Sequence, residues 1–229
     1  MTRVVLFDID GTLVLTGGAG VRGMVRAFEE IFAVPDAFRG VETPGRTDCS
    51  ILTDAFARHG IPDHPDHRAR FRECYLRHLQ TELHQPGPRK GVMPGVRALL
   101  EALAARGDVV VALLTGNYEE AARLKLEYFD LWRYFRCGAF GDDAPDRNGL
   151  LPKALAQVRA CGGPAAAGRE VAVVGDTPLD VACAAGGGAR SIAVATGGYD
   201  TRALQAAGAD VVFPDLSDLD GVLGALELV

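Results

Sequence analysis

The chain opens on a run that is apolar at every position, Val4 to Phe7, and then breaks into Asp8, Ile9, Asp10 and Gly11. Such a run reads as a strand buried on both faces, and the aspartates and glycine mark the turn that ends it. From there to about Gly87 the period changes. Apolar residues recur at three- and four-residue spacing in VRGMVRAFEEIFAV, DCSILTDAFARHG and HRARFRECYLRHLQTELH, which predicts amphipathic helices. Beyond Pro94 the two patterns alternate. Helix is expected over Val96 to Ala105, Tyr118 to Phe129, Leu151 to Ala160, Leu179 to Ala185 and Thr201 to Ala207. Strand is expected over Val109 to Leu114, Cys137 to Phe140, Val171 to Val174 and Ser191 to Val194, with DVVF as a last short strand.

Alternation of this kind builds right-handed βαβ units, so the expected fold class is α/β: a Rossmann-like parallel sheet with helices on both faces. The first strand belongs to that sheet, because the helices that follow it offer no strand partner. Residues 14–93 then form an all-helical insert after the first strand, bordered by TGGAG and PGPRKGVMPG, and residues 1–13 with 94–229 form the core.

Composition narrows the class. The 229 residues are 48% hydrophobic, enough for a real core, and the formal net charge of -6 argues against nucleic-acid binding through phosphate neutralisation. The first apolar run is too short for a signal peptide, and no stretch has the roughly 20 apolar residues of a membrane span, so a cytoplasmic protein with no membrane partner is expected. The five cysteines are scattered without a CxxC pair, which reads as buried free thiols. The five histidines all fall between His59 and His84. No HxxxH pair shares a helix face, so a solvated surface is favoured over zinc.

In open parallel sheets ligands sit beyond the carboxyl ends of the strands. Three polar clusters stand there: Asp8 to Thr12 (DIDGT), Thr115 to Asn117 (TGN) and Gly175 to Asp180 (GDTPLD), with Arg147 in a loop between the last two. Asp8 and Asp10 are two apart and face one spot if the chain stays extended, where their repulsion calls for a cation or a shared proton. Carboxylates, a hydroxyl-amide pair and a cation suit Mg²⁺ and phosphate held together. A calcium loop is excluded, because Thr12 and Leu13 replace an acidic ligand and the glycine, and Ala19 stands where the glutamate belongs.

These motifs resemble those of the haloacid dehalogenase superfamily, over essentially the whole chain. Asp8-Ile9-Asp10-Gly11-Thr12 is similar to its first motif, Thr115 to its second and Gly175 to Asp180 to its fourth, while GGAG with GRTD (Gly45 to Asp48) resembles its phosphoglycolate-phosphatase-like branch. The resemblance implies a Mg²⁺-dependent phosphatase acting on a small phosphorylated metabolite, 2-phosphoglycolate first, with the helical insert as a cap. It implies that Asp8 attacks phosphorus and Asp10 acts as acid and base. Mg²⁺ would lie on Asp8, the Asp10 carbonyl and Asp176, and phosphate on Thr115, Gly116 and Asn117. The third motif, normally a loop lysine, is replaced by Arg147, with Lys153 inside the following helix as the alternative cation.

Other readings stand beside these. Asn117 reads as an N-cap, and Thr177, Pro178 and Asp180 as a capping box, so Asp180 divides between cap and metal surroundings, with Thr12 and Thr177 also close to the metal. Arg46, in GRTD, is the expected substrate contact from the cap. A sugar-phosphate mutase with the same Asp8 chemistry, or a phosphometabolite-binding protein without catalysis, are the rival functions, and the chain is expected to be a monomer or homodimer.

Overall fold

A computed structural model describes residues 3–144 and 146–228. Its centre is the first apolar run, β1 (Val4–Phe7), which pairs in parallel with β4 (Val110–Leu114) on one side and β6 (Val171–Gly175) on the other. Outward from β4 lies β5 (Gly138–Ala139), and outward from β6 lie β7 (Arg190–Val194) and β8 (Val211–Phe213), giving the order β5-β4-β1-β6-β7-β8. The chain therefore builds one half of the sheet, returns to β1 and builds the other. That reversal opens a crevice at the carboxyl ends of β1, β4 and β6.

Alternation along the strands sorts the core. Val5 and Phe7 face a cluster completed by α4 (Val96–Ala104) and α9 (Leu219–Ala225), while Val4 and Leu6 face one completed by α6 (Leu150–Ala160) and α7 (Pro178–Gly186). The expected α/β class, with helices on both faces of a parallel sheet, is what the chain forms. α8 (Thr201–Ala206) closes the β7–β8 side through Leu204.

The helices α1 (Ala19–Phe32), α2 (Asp48–His59) and α3 (Pro65–Glu82) bury a separate cluster around Phe28, whose ring meets Phe32, Phe38, Phe56 and Phe71 at centroid distances of 4.8 to 6.2 Å. α5 (Glu119–Tyr128) serves both clusters, sending Tyr118, just ahead of its first turn, and Ala121 into the helical one and Ala122 and Leu126 into the sheet's. The stretch 14–93 is not helical at its ends. Val14–Leu15 (β2) and Gly91–Val92 (β3) pair antiparallel, and Val14 and Met93 pack into the sheet's core. Two-residue strands carry too little periodicity to be read from sequence. The helix α9 was also not expected, because Gly221 and Gly224 interrupt its apolar pattern; Asp218 caps it by accepting from the Gly221 N–H. Of the cysteines, only Cys74 and Cys183 are buried, and Cys161 is exposed.

Phe28 is fully buried at the hub of the helical cluster. Phe28→Ala should cost about 3–5 kcal/mol, since the surrounding rings cannot collapse into the space. Urea unfolding checks this, the expected outcome being a lower midpoint.

Candidate active site

Each strand that meets at the crevice delivers one polar group as its hydrogen-bonding ladder ends. The Asp8 N–H still donates to the Val174 carbonyl (3.0 Å), so its carboxylate is held rigidly by the sheet. Asp176 follows β6, where its side chain fills the space that Cβ atoms at Gly11 and Gly197 would occupy, 2.4 and 1.7 Å from its Oδ2. Gly11 also has φ +89°, so both backbone conformation and space require glycine there. The Thr12 hydroxyl donates to Asp176 Oδ1 at 3.2 Å. Carboxylate oxygens of Asp8, Asp176 and Asp180, all buried, lie within 4.8 Å of one another.

Burial, with the neighbouring charge of Asp180, pushes Asp8 up to about 6 despite Arg147 beside it. Burial and the charges of Asp8 and Asp180 hold Asp176 well above the usual carboxylate range. An all-oxygen set strained in this way fits a hard divalent cation, which would relieve the repulsion.

Arg147, in a short 3-10 turn after β5, is 5% exposed and meets four segments. Its Nη2 contacts Asp8 Oδ1 at 2.8 Å, the Asp180 carboxylate and the Leu114 carbonyl, and its Nη1 donates to the Gly45 carbonyl at 3.1 Å. The carboxylates around it hold its guanidinium firmly charged although burial opposes this. Lys153 is exposed on α6 and does not line the cavity, because the helix turns it outward. Asp180 has both oxygens engaged: Oδ1 with Arg147, and Oδ2 with the Thr177 N–H (3.0 Å) and hydroxyl (2.6 Å) in a capping box at the start of α7.

Asp10 stands at the cavity mouth with its side chain 41% exposed. Its Oδ2 accepts from Lys125 Nζ (2.6 Å) and Asn117 Nδ2 (2.9 Å), while Asn117 also donates to the Thr115 hydroxyl (2.8 Å) and its Oδ1 accepts from Lys125 (2.5 Å). Asn117 does not cap α5. Tyr118 holds the cap position, and Asn117 serves the site instead. Thr115 is fully buried behind Gly116 and Asn117, which face the cavity. Lys125 was missed in the sequence. Its signal was there: it shares the buried face of α5 with Ala121, Ala122 and Leu126, and a lysine on that face needs a buried acceptor.

The helical layer closes over these groups through Thr43 to Asp48. Gly116 has room only for a hydrogen, since a Cβ would lie 2.0 Å from the Arg46 carbonyl, and the Asp48 N–H donates to the Gly116 carbonyl at 2.7 Å. Asp48 Oδ2 accepts the Tyr118 N–H (2.9 Å), and burial pushes its carboxyl up to about 7 although Lys125 pulls the other way. Beneath lies a cavity of about 280 Å³, lined by Asp8, Asp10, Asn117, Lys125, Arg147 and Asp176 on the sheet side and Leu15, Val21, Met24, Ile51 and Tyr75 on the other. Arg46 also reaches the cavity, but its guanidinium is engaged with Asp54 (2.5 Å) and the carbonyls of Glu42 and Ser50.

A family model described as haloacid dehalogenase-like hydrolase matches residues 2–188. The chain is 30% identical to a phosphoglycolate phosphatase of Rhodospirillum rubrum, covering 98% of this chain and 92% of that protein. It is 29% identical to a phosphoglycolate phosphatase of Chromobacterium violaceum, covering 95% and 94%. Among solved structures, a hydrolase from Pseudomonas syringae superposes with a TM-score of 0.74 at 24% identity, covering 98% of both chains.

Two outcomes follow from this geometry. Asp48 has an ordinary value of 3.8 and a folded value of about 7, so the folded chain keeps a proton that the unfolded chain releases in between. Its stabilising contribution is full below pH 3.8, declines as pH rises, and is lost above about pH 7. Urea titrations should show wild type losing stability against Asp48→Asn across that window, by at most about 1.4 kcal/mol per pH unit. Lys125→Met should lower turnover of phosphate esters by about tenfold or more as Asp10 loses one of its two donors, and should also destabilise the fold by about 1–3 kcal/mol, because the buried Asn117 Oδ1 loses its lysine donor. Circular dichroism melts and steady-state kinetics measure the two effects.

Proposed function

The chain belongs to the haloacid dehalogenase-like hydrolases, and from that membership we propose that it hydrolyses a small phosphorylated metabolite, 2-phosphoglycolate first, through an aspartyl phosphate with Mg²⁺ as cofactor. That it is a phosphatase follows from its family and relatives. What carries the finer reading is the buried carboxylate of Asp8, paired with Arg147 at the cavity floor, together with the half-exposed carboxyl of Asp10 at its mouth.

In this reading Asp8 and Asp176 hold Mg²⁺ with the Asp10 backbone carbonyl, and the bound ion supplies positive charge that screens nucleophile from phosphate and stabilises the charge developing on its oxygens. Arg147 and the backbone N–H groups of Gly116 and Asn117 orient the phosphoryl oxygens. A carboxylate oxygen of Asp8 forms a bond to phosphorus as the ester P–O bond breaks, and Asp10 gives its proton to the leaving alkoxide. Water then attacks phosphorus, Asp10 takes its proton, and inorganic phosphate leaves with Asp8 restored. Lys125 and Asn117 both meet Oδ2 of Asp10, which leaves Oδ1 for the proton. The stretch 14–93 acts as the cap, holding water away from the acyl phosphate and setting which leaving groups fit.

Hydrolysis is preferred to mutase chemistry because the relatives near 30% identity are phosphatases. The test is phosphate release from a panel of phosphorylated metabolites with and without Mg²⁺. Release from 2-phosphoglycolate should require Mg²⁺ and fall by at least about a thousandfold in Asp8→Asn. Near-normal release by that variant overturns the covalent route, and isomerised sugar phosphate without free phosphate overturns hydrolysis.

A further inference from the structure

On the helical layer, away from Asp8 and Asp176, a second set of ligand-type side chains converges. Cys74 and His78 are four residues apart on α3, so thiol and imidazole share one face of the helix. Glu30 reaches the same point from α1. Its Oε2 lies 2.8 Å from His78 Nε2, and the three ligand atoms, Cys74 Sγ included, are all within 4.8 Å of one another. The scaffold under them is tight: Gly23 of α1 sits where a Cβ would lie 3.2 Å from the Leu79 N and 3.3 Å from the Tyr75 ring of α3. The backbones that carry the three groups are thus already docked.

We propose that Glu30, Cys74 and His78 form a site for a borderline-soft divalent cation, Zn²⁺ being the natural occupant. Thiolate, imidazole and carboxylate form a three-ligand set that leaves a fourth position for water. Zinc bonds of roughly 2.0–2.3 Å require the three ligand atoms, now within 4.8 Å of one another, to draw around one point. One proton leaves the Cys74 thiol for each ion bound, as the thiolate is the ligand. Mg²⁺, which takes oxygen ligands in octahedral geometry, has no match here, so this site and the carboxylate pair at the crevice select different ions.

Arg77 marks the spot and competes for it. Its Nη2 lies 2.6 Å from Glu30 Oε1 and 3.2 Å from Cys74 Sγ, so a positive charge already rests on two of the three groups. The Arg77 side chain is 58% exposed and can move out to water when an ion takes its place. Occupancy would staple α1 to α3, whose other sides carry Val21, Met24 and Tyr75 of the cavity wall. In sequence the pairing is Cys74-x-x-x-His78 rather than an HxxxH pair, and it is completed by Glu30, a residue distant in sequence.

The test uses the full-length, reduced protein with excess Mg²⁺ to occupy the carboxylates at the crevice, and Co²⁺ as the probe. A thiolate-to-cobalt charge-transfer band should appear, and added Zn²⁺ should bleach it. Cys74→Ser should abolish the band although Cys49, Cys137, Cys161 and Cys183 remain. His78→Gln should weaken Zn²⁺ binding by at least about tenfold. Arg77→Met should tighten it, an effect of opposite sign that a mere ion-pair cluster does not give. Circular dichroism establishes that each variant is folded. No band in wild type, an equal band in Cys74→Ser, or weaker binding in Arg77→Met each overturns the proposal, and none of them bears on the phosphatase reading.

Discussion

A guanidinium almost closed off from water sits between two carboxylates at the meeting point of the strands, and most of the site depends on it. Arg147 touches Asp8 after β1, Asp180 on α7, the Leu114 carbonyl at the end of β4 and the Gly45 carbonyl of the covering loop. Burying any of these charges alone would cost several kcal/mol, so each is tolerable only because the others are there. The arrangement still leaves an excess of negative charge. Asp8 and Asp176 remain pushed upward, and the site is incomplete without further positive charge. That shortfall makes the crevice receptive to a hard cation while Arg147 stays fixed beneath.

The Asp180 carboxyl explains how so much charge can be buried without disorder. One oxygen closes the capping box with Thr177 and the other binds Arg147, so the start of a helix and the position of the buried guanidinium are set by the same group. Asp176 is fixed in a different way, by Thr12 and by two glycines that leave it room. A hydrogen bond can be made by several residue types. The close approach cannot, which is why glycine stands at both places.

The fold was legible because its period changes are abrupt: buried runs for β1, β4, β6 and β7, helical spacing elsewhere. DIDGT, TGN and GDTPLD were legible because they interrupt apolar strands at the ends where a parallel sheet must place its ligands. Arg147 and Lys153 differed only in turn against helix, a distinction the structure resolves by burying one and exposing the other. Three features could not be read in one dimension. β2 and β3 are too short to show a period, Lys125 owes its role to Asp10 at a distance of 115 residues, and Glu30 owes its place beside His78 to helix docking. Local pattern specifies elements and their ends, whereas partners distant in sequence become visible only when the elements pack.

α5 shows why that distinction bears on function. Its first turn is tied to the helical layer by the Asp48 carboxylate on the Tyr118 N–H, and its middle holds Asp10 through Lys125. The Tyr118 ring lies 6.3 Å from that of Tyr75, which itself lines the cavity. The element that fixes the Asp10 carboxyl is therefore the one on which the covering helices rest. Lys125 joins the two tasks, since from one buried position it hydrogen-bonds Asp10 and its charge favours the ionised form of Asp48. A shift of the helical layer against the sheet would move a charge partner of Lys125, so how that layer sits over the cavity and how Asp10 is held are coupled through one buried lysine.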